Sequence, residues 1–469
     1  MKALKLHELT AHEIRDMLRK REISAIEVIE DTYCRIDSVE DSINSFITLT
    51  REKAYEDAKK VEKTIKEGQE PPDLAGIPMA VKDNICTEGI RTTCASGMLA
   101  DFVPPYSAEV YERLVNDSCI TIGKTNMDEF AMGDLGNPCD GSAAAVASGE
   151  VCFSLGSDMG GSIRQFAALC GVVGMKPTYG LVSRYGLITS APSLDQIGPI
   201  TRDVHDCALV MNCIAGHDSK DSASVRIQAE DYRSALISDV KGFRIGIPKE
   251  YFGEGTDNGI KKLILEQIKV LEDLGAHGEE MSLPHSEYAM QAYHIIASAE
   301  ASSNLARYDG VRYGFRAGQY DNLEDLYVKT RSRGFGAGVK RSIMLGAYVL
   351  SSDRYDFYYK KALQIRTLIR EDFNRAFEKY DVIITPVTPG VGLDSWKKIE
   401  DTISVYMTDV YTAPVNIAGI AAMSVPCGVK DGLPVSMQII GRPFDEKRIL
   451  QAAFACEQNS RIGGYQHEI

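Results

Sequence analysis

The stretch Gly156-Ser157-Asp158-Met159-Gly160-Gly161-Ser162-Ile163-Arg164-Gln165 sets a serine directly after twin glycines, at the mouth of an apolar segment. Two adjacent glycines free the backbone for positive φ and let N–H groups come close to a bound atom. A serine placed after them can attack a carbonyl while neighbouring amides hold the oxyanion. Taken alone the turn has blander readings. A glycine-rich turn that merely connects two elements is the commoner case. A phosphate cradle is a third option, weakened by the lack of G-K-[ST] and of G-x-G-x-x-G after a strand.

The surroundings of this turn point to an α/β fold. From Gly133 to Gly198 the chain is rich in Gly, Ala and Ser, poor in charge and interleaved with apolar residues, as a packed functional centre would be. Upstream, Ile77–Val81 and Cys119–Ile122 are short apolar runs that read as buried strands. Further upstream, Thr10 with Glu13 and Ser24 with Glu27 form two S/T-x-x-E capping boxes, so roughly the first seventy residues are expected to be helical. Downstream, a strand at Phe243–Ile247 is followed by a helix from Asn258 to Leu274 with Ile260, Leu263, Ile264, Ile268 and Leu271 on one face. Val382–Thr385 and Val435–Ile440 read as late strands. Alternating strands and helices imply a mixed sheet covered by helices. The expected organisation is one large domain over 1–469, with a helical section over 1–70 and a helix-rich insertion at about 230–370.

Composition narrows the function classes. A net charge of −14 disfavours nucleic-acid binding as the main feature, because phosphate neutralisation needs clustered Lys and Arg. Eleven cysteines without a C-x-x-C pair speak against a disulfide framework or a zinc site, and for a reducing cytoplasm. The eight histidines form no H-E-x-x-H and none lies in a Gly/Ser motif, so neither a metal centre nor a Ser-His-Asp triad is expected. No secretory h-region and no membrane-length apolar run is present, so a soluble protein with no membrane contact is expected.

Lys82 directly follows the apolar run Ile77–Val81. A lysine at the end of a buried strand can be desolvated and serve as a base. A strand-end lysine that reaches solvent is the ordinary alternative. Lys plus Ser without His would make a Ser–Lys hydrolase.

Together these segments resemble the amidase-signature family, and within it the glutamine-hydrolysing A subunits of glutamyl/aspartyl-tRNA(Gln/Asn) amidotransferases. The likeness rests on Gly76-Ile77-Pro78-Met79-Ala80-Val81-Lys82-Asp83-Asn84, on Gly123-Lys124-Thr125-Asn126-Met127-Asp128-Glu129-Phe130 and on Gly156 through Gln165. Lys176-Pro177-Thr178-Tyr179-Gly180, Ser193 through Pro199, Glu300 through Gly310, and Pro414 through Gly419 extend it over nearly the whole chain. The resemblance implies a Ser-Ser-Lys triad in which Lys82 acts through a bridging serine on the nucleophile Ser162. It further implies an oxyanion hole from the backbone of Met159, Gly160 and Gly161, with Asp409 on the glutamine amino group and Arg341 on its carboxylate. Ammonia would pass to a B subunit, which holds ATP and Mg and amidates a mischarged tRNA, while a small C subunit clasps A to B. No cofactor is expected in this chain.

Three positions depart from that pattern. The family's G-G-S-S-G-G-S-A-A-A-V segment reads Asn137-Pro138-Cys139-Asp140-Gly141-Ser142-Ala143-Ala144-Ala145-Val146, so Pro138 and Cys139 fall where the paired serines belong. The bridging serine is not found, and Ser142 is the nearest stand-in. Met159 replaces a Thr, and Lys340-Arg341-Ser342-Ile343 keeps one of two arginines. Losing a guanidinium–carboxylate pair costs about 1.5–3 kcal/mol, whereas losing a triad member costs on the order of 10⁴ in rate. The relay therefore separates two readings: an active glutaminase, or a catalytically impaired paralogue that serves as a binding scaffold.

Overall fold

A computed structural model describes residues 5–133, 140–228, 230–253, 255–392 and 408–460. Both capping boxes form: the Thr10 and Ser24 side chains accept from the backbone N–H of Glu13 and Glu27, whose carboxylates accept from the cap residues in return. They start α1 (Ala11–Lys20) and α2 (Ala25–Ile43), which end on left-handed Arg21 and Asn44. α2 buries Val28, Ile29, Tyr33 and Ile36 along one face, as its period-3.6 pattern requires. β1 (Phe46–Leu49) and α3 (Arg51–Lys66) complete this section.

The rest of the chain is built on one eleven-stranded sheet. Its strands are β1, β2 (Pro78–Lys82), β3 (Ile120–Thr125), β4 (Phe153–Asp158), β5 (Val173–Lys176), β6 (Gln196–Thr201), β7 (Arg244–Pro248), β8 (His277–Met281), β9 (Val382–Pro386), β10 (Ala422–Lys430) and β11 (Leu433–Gly441). Their spatial order is β1-β3-β2-β4-β6-β5-β10-β11-β9-β7-β8. Pairing is parallel for β2 with β3 and β4, and for β7 with β8 and β9; the remaining pairs are antiparallel. Strands β2, β3, β4, β5, β6 and β9 are buried at every position, which is why they read as continuous apolar or small-residue runs.

Helices pack against the sheet. Between β3 and β8 lie α5 (Gly141–Ala147), α6 (Ser162–Cys170), α7 (Val204–Ile214) and α8 (Asn258–Asp273), and α4 (Glu109–Asn116) precedes β3. The segment at about 230–370 is not helical from its start, because it first adds β7 and β8 to the edge of the sheet. Its helical part consists of α9 (Ala289–Asn304), α10 (Leu323–Gly334), α11 (Ala337–Val349) and α12 (Tyr359–Phe377). Two further helices, α13 (Ala413–Ala418) and α14 (Glu446–Asn459), flank the final hairpin. Among the described residues no helix is long and apolar enough to cross a membrane.

Candidate active site

The turn at Ser162 joins β4 to α6, and its shape depends on both glycines. Gly161 has φ +147°, and a Cβ there would lie 2.2 Å from Thr412 Oγ1. A Cβ on Gly160 would lie 2.4 Å from the Tyr293 hydroxyl. The turn is thus pressed between α9, which carries Tyr293, and Thr412 at the head of α13. Thr412 Oγ1 donates to Gly160 O at 2.6 Å and accepts from Gln165 Nε2 at 2.7 Å. Ser162 is the first residue of α6 and half-buried. The N–H groups of Gly160, Gly161 and Ser162 donate to no described residue. A helix start with free amides beside a serine hydroxyl suits a developing negative charge on oxygen.

Beneath the turn lies a buried polar scaffold. Arg164 and Asp158 are both fully buried and paired twice, at 3.1 Å through Nε and 3.0 Å through Nη2. Arg164 also donates to Gln438 Oε1, Asn416 Oδ1 and Thr412 O, while Asn416 Nδ2 donates to Asp158 Oδ1 at 2.8 Å. Burial pushes the Asp158 carboxyl up, but Arg164, Lys176 and Asn416 outweigh it and hold it below the usual carboxylate range. Lys176, buried next to this pair, is pushed down to about 7 by burial and by the Arg164 charge. Its ammonium donates to Pro177 O at 2.9 Å. Lys124 is likewise lowered to about 8 by burial and is spent on Ile85 O, Thr87 and Thr92. Asp195, in the Ser193–Pro199 segment, is raised to about 6 by burial while accepting from Thr189, Ser190 and Ala191.

Lys82 ends β2 and is buried rather than solvent-reaching. The register of β2 against β3 shifts between Met79 and Ala80, where β3 carries one extra residue, Ile122. The Lys82 ammonium donates to Asp140 Oδ2 at 2.9 Å and to Ser157 O at 3.4 Å. Because β2 and β4 are parallel, Lys82 and the Ser162 turn stand at the same, carboxyl end of neighbouring strands, where open α/β sheets place their ligands. Asp140 is a residue the sequence reading passed over. Its other oxygen accepts from Ser142 N at 2.9 Å and Ala143 N at 3.3 Å, capping α5. The signal available was an Asp directly before a Gly-Ser-Ala-Ala-Ala-Val helix start.

Among the described residues no hydrogen bond joins Ser142 to Lys82. Ser142 is fully buried, and its hydroxyl is 2.7 Å from Thr125 Oγ1 on β3. Pro138 and Cys139 lie outside the described residues. Asp409 is brought to the turn: Gln165 Nε2, three residues after Ser162, donates to its Oδ1 at 2.8 Å. Met159 is buried against α9 and its neighbours. Arg341 is exposed on α11, and no hydrogen bond or ion pair joins it to another described residue.

The amidase family model matches residues 27–138 and 139–450, the two stretches meeting within the altered Pro138-Cys139-Asp140 segment. The A subunit of the glutamyl-tRNA(Gln) amidotransferase of Thermoanaerobacter pseudethanolicus is 55% identical, with 98% of each chain covered. The protein of the same name from Caldanaerobacter subterraneus subsp. tengcongensis is 56% identical over 97% of each. The crystal structure of the corresponding A subunit from Thermotoga maritima superposes with a TM-score of 0.80 at 35% identity, covering 99% of this chain and 97% of that one.

Proposed function

The chain belongs to the amidase family, and from that membership we propose that it is the glutamine-hydrolysing A subunit of a tRNA-dependent amidotransferase. The Ser162 turn carries this reading: a helix-start serine with free backbone amides, at the same sheet end as a buried lysine. Ser162 Oγ attacks the side-chain amide carbon of glutamine, the oxyanion is held by the N–H groups from Gly160 to Ser162, and ammonia leaves. Water then hydrolyses the acyl-enzyme to glutamate. Lys82 is the basic group of the site. Asp409, anchored by Gln165, receives the glutamine amino group, and Arg341 is assigned to its carboxylate.

The partners follow from the same reading. The subunit naming of relatives matched over almost their full length supports a multi-subunit ligase. In it, a B subunit with ATP and Mg would convert Glu-tRNA(Gln) or Asp-tRNA(Asn) to Gln-tRNA(Gln) or Asn-tRNA(Asn), and a C subunit would bind A to B. An acidic A subunit that leaves RNA to its partner agrees with the charge of −14. Cytoplasmic residence fits the cysteine usage, since the ten described cysteines are all free. The scaffold reading has no support among the relatives, which are named as amidotransferase subunits.

Ammonia release from glutamine, measured with B and C subunits present, tests the proposal. Turnover is expected, and Ser162→Ala should lower it by a factor on the order of 10⁴. Equal rates in wild type and Ser162→Ala would sink it.

A further inference from the structure

Three groups stand at the carboxyl end of β2 and β4, Lys82 on β2, Asp140 capping α5 and Ser162 opening α6, the first two in direct contact. Helices α5 and α6 pack on β4 and on each other. Since α5 precedes β4 and α6 follows it, both present their first residues at that end of the strand. Lys82 and Asp140 have side chains only 3% and 1% exposed, and their charged atoms are 2.9 Å apart. A buried ammonium needs a fixed counter-charge or it is not retained. Asp140 supplies it, whereas the Ser142 hydroxyl pairs with Thr125 and carries no charge. The carboxylate is itself immobile, because two backbone N–H groups of α5 hold its second oxygen.

We infer that Asp140 is the positioning residue of Lys82, its carboxylate fixing the lysine at the Ser162 turn where no bridging serine is found in the sequence. This rests on the assignment of Ser162 as nucleophile made above. The arrangement acts through one charge-assisted contact, and its removal leaves Lys82 only the longer bond to Ser157 O, at 3.4 Å. Asp140→Asn separates this role from a structural one, since an amide oxygen still caps α5 while the ion pair is gone.

The test is the rate at which a fluorophosphonate probe labels Ser162 in the full chain, located by peptide mass spectrometry, with melting temperature recorded in parallel. Wild type is expected to label. Asp140→Asn should label about tenfold to a hundredfold more slowly per folded chain, as loss of a charge-assisted hydrogen bond predicts, and should melt at a lower temperature because the Lys82 ammonium loses its buried counter-charge. Asp140→Glu should recover part of the rate. Equal labelling of wild type and Asp140→Asn overturns the inference and leaves the nucleophile assignment standing. A rate loss that disappears once it is corrected for the fraction of chain folded at the assay temperature assigns Asp140 to the fold alone and also overturns it. A wild type that labels no faster than Ser162→Ala overturns the nucleophile assignment, and the inference with it.

Discussion

Gly161 holds φ at +147°, a region that L side chains rarely adopt, and it does so within reach of Thr412. Gly161→Ala is therefore expected to cost about 1–3 kcal/mol of stability from backbone strain alone. It should also remove glutamine turnover, because the amides and Ser162 shift together; a variant with wild-type kcat would refute this geometry. Arg164 makes a second test at this scale. Arg164→Ala leaves Asp158 as a buried charge with its main partner gone, which costs about 3–5 kcal/mol. Urea denaturation measures it, and a loss below about 1 kcal/mol would mean that the pair behaves like a surface salt bridge. The sequence pointed to Ser162 and Lys82 through their local settings. It passed over Asp140, because what makes that aspartate matter is a lysine 58 residues away.

At the scale of elements, α1 is fastened to α7 by one carboxylate and one imidazole. Asp206 accepts from the N–H groups of Ala11 and His12, and His12 Nδ1 lies 2.9 Å from Asp206 Oδ1 and 3.5 Å from Asp203 Oδ2. Burial, reinforced by Asp206 and Glu457, pushes Asp203 up to about 8. Its unfolded value is about 3.9, so the folded state binds the extra proton and stability falls as pH rises between these values. His12 is opposed by burial but raised overall by Asp206, so its contribution is complete below about 6.5 and is lost as pH rises through the folded value. Both act in one direction. Asp203→Asn, which keeps the cap on α7, should therefore gain more melting temperature at about pH 8.5 than at about pH 5.5; an equal effect at both would disprove the linkage. Ser24→Ala should cost about 1 kcal/mol by removing the α2 cap. The capping boxes were legible because the signal is contained in four residues. Strands β1, β4, β5, β6, β8 and β10 were not, since a short run without clear alternation has no period of its own and becomes a strand only by pairing with neighbours.

Over the whole molecule, one sheet links segments from Phe46 to Gly441, and thiols are distributed through its core. Of the ten described cysteines only Cys34 is exposed, whereas Cys86, Cys94, Cys119, Cys152, Cys207, Cys427 and Cys456 are buried. Burial pushes the Cys119 and Cys207 thiols well up. A thiol reagent applied to the native chain should therefore modify Cys34 first and these seven only on unfolding, as peptide mapping would reveal; early modification of Cys119 or Cys207 would contradict this packing. By itself the sequence determined the α/β class, the helical start, the serine after twin glycines and the family, because each of these is written in local periodicity or in a contiguous motif. Tertiary structure alone decided the order of the eleven strands, the clamp of Tyr293 and Thr412 on the turn, and the pairing of Lys82 with Asp140. Those depend on which distant side chains burial brings within a hydrogen bond of one another, and no spacing along the chain encodes that.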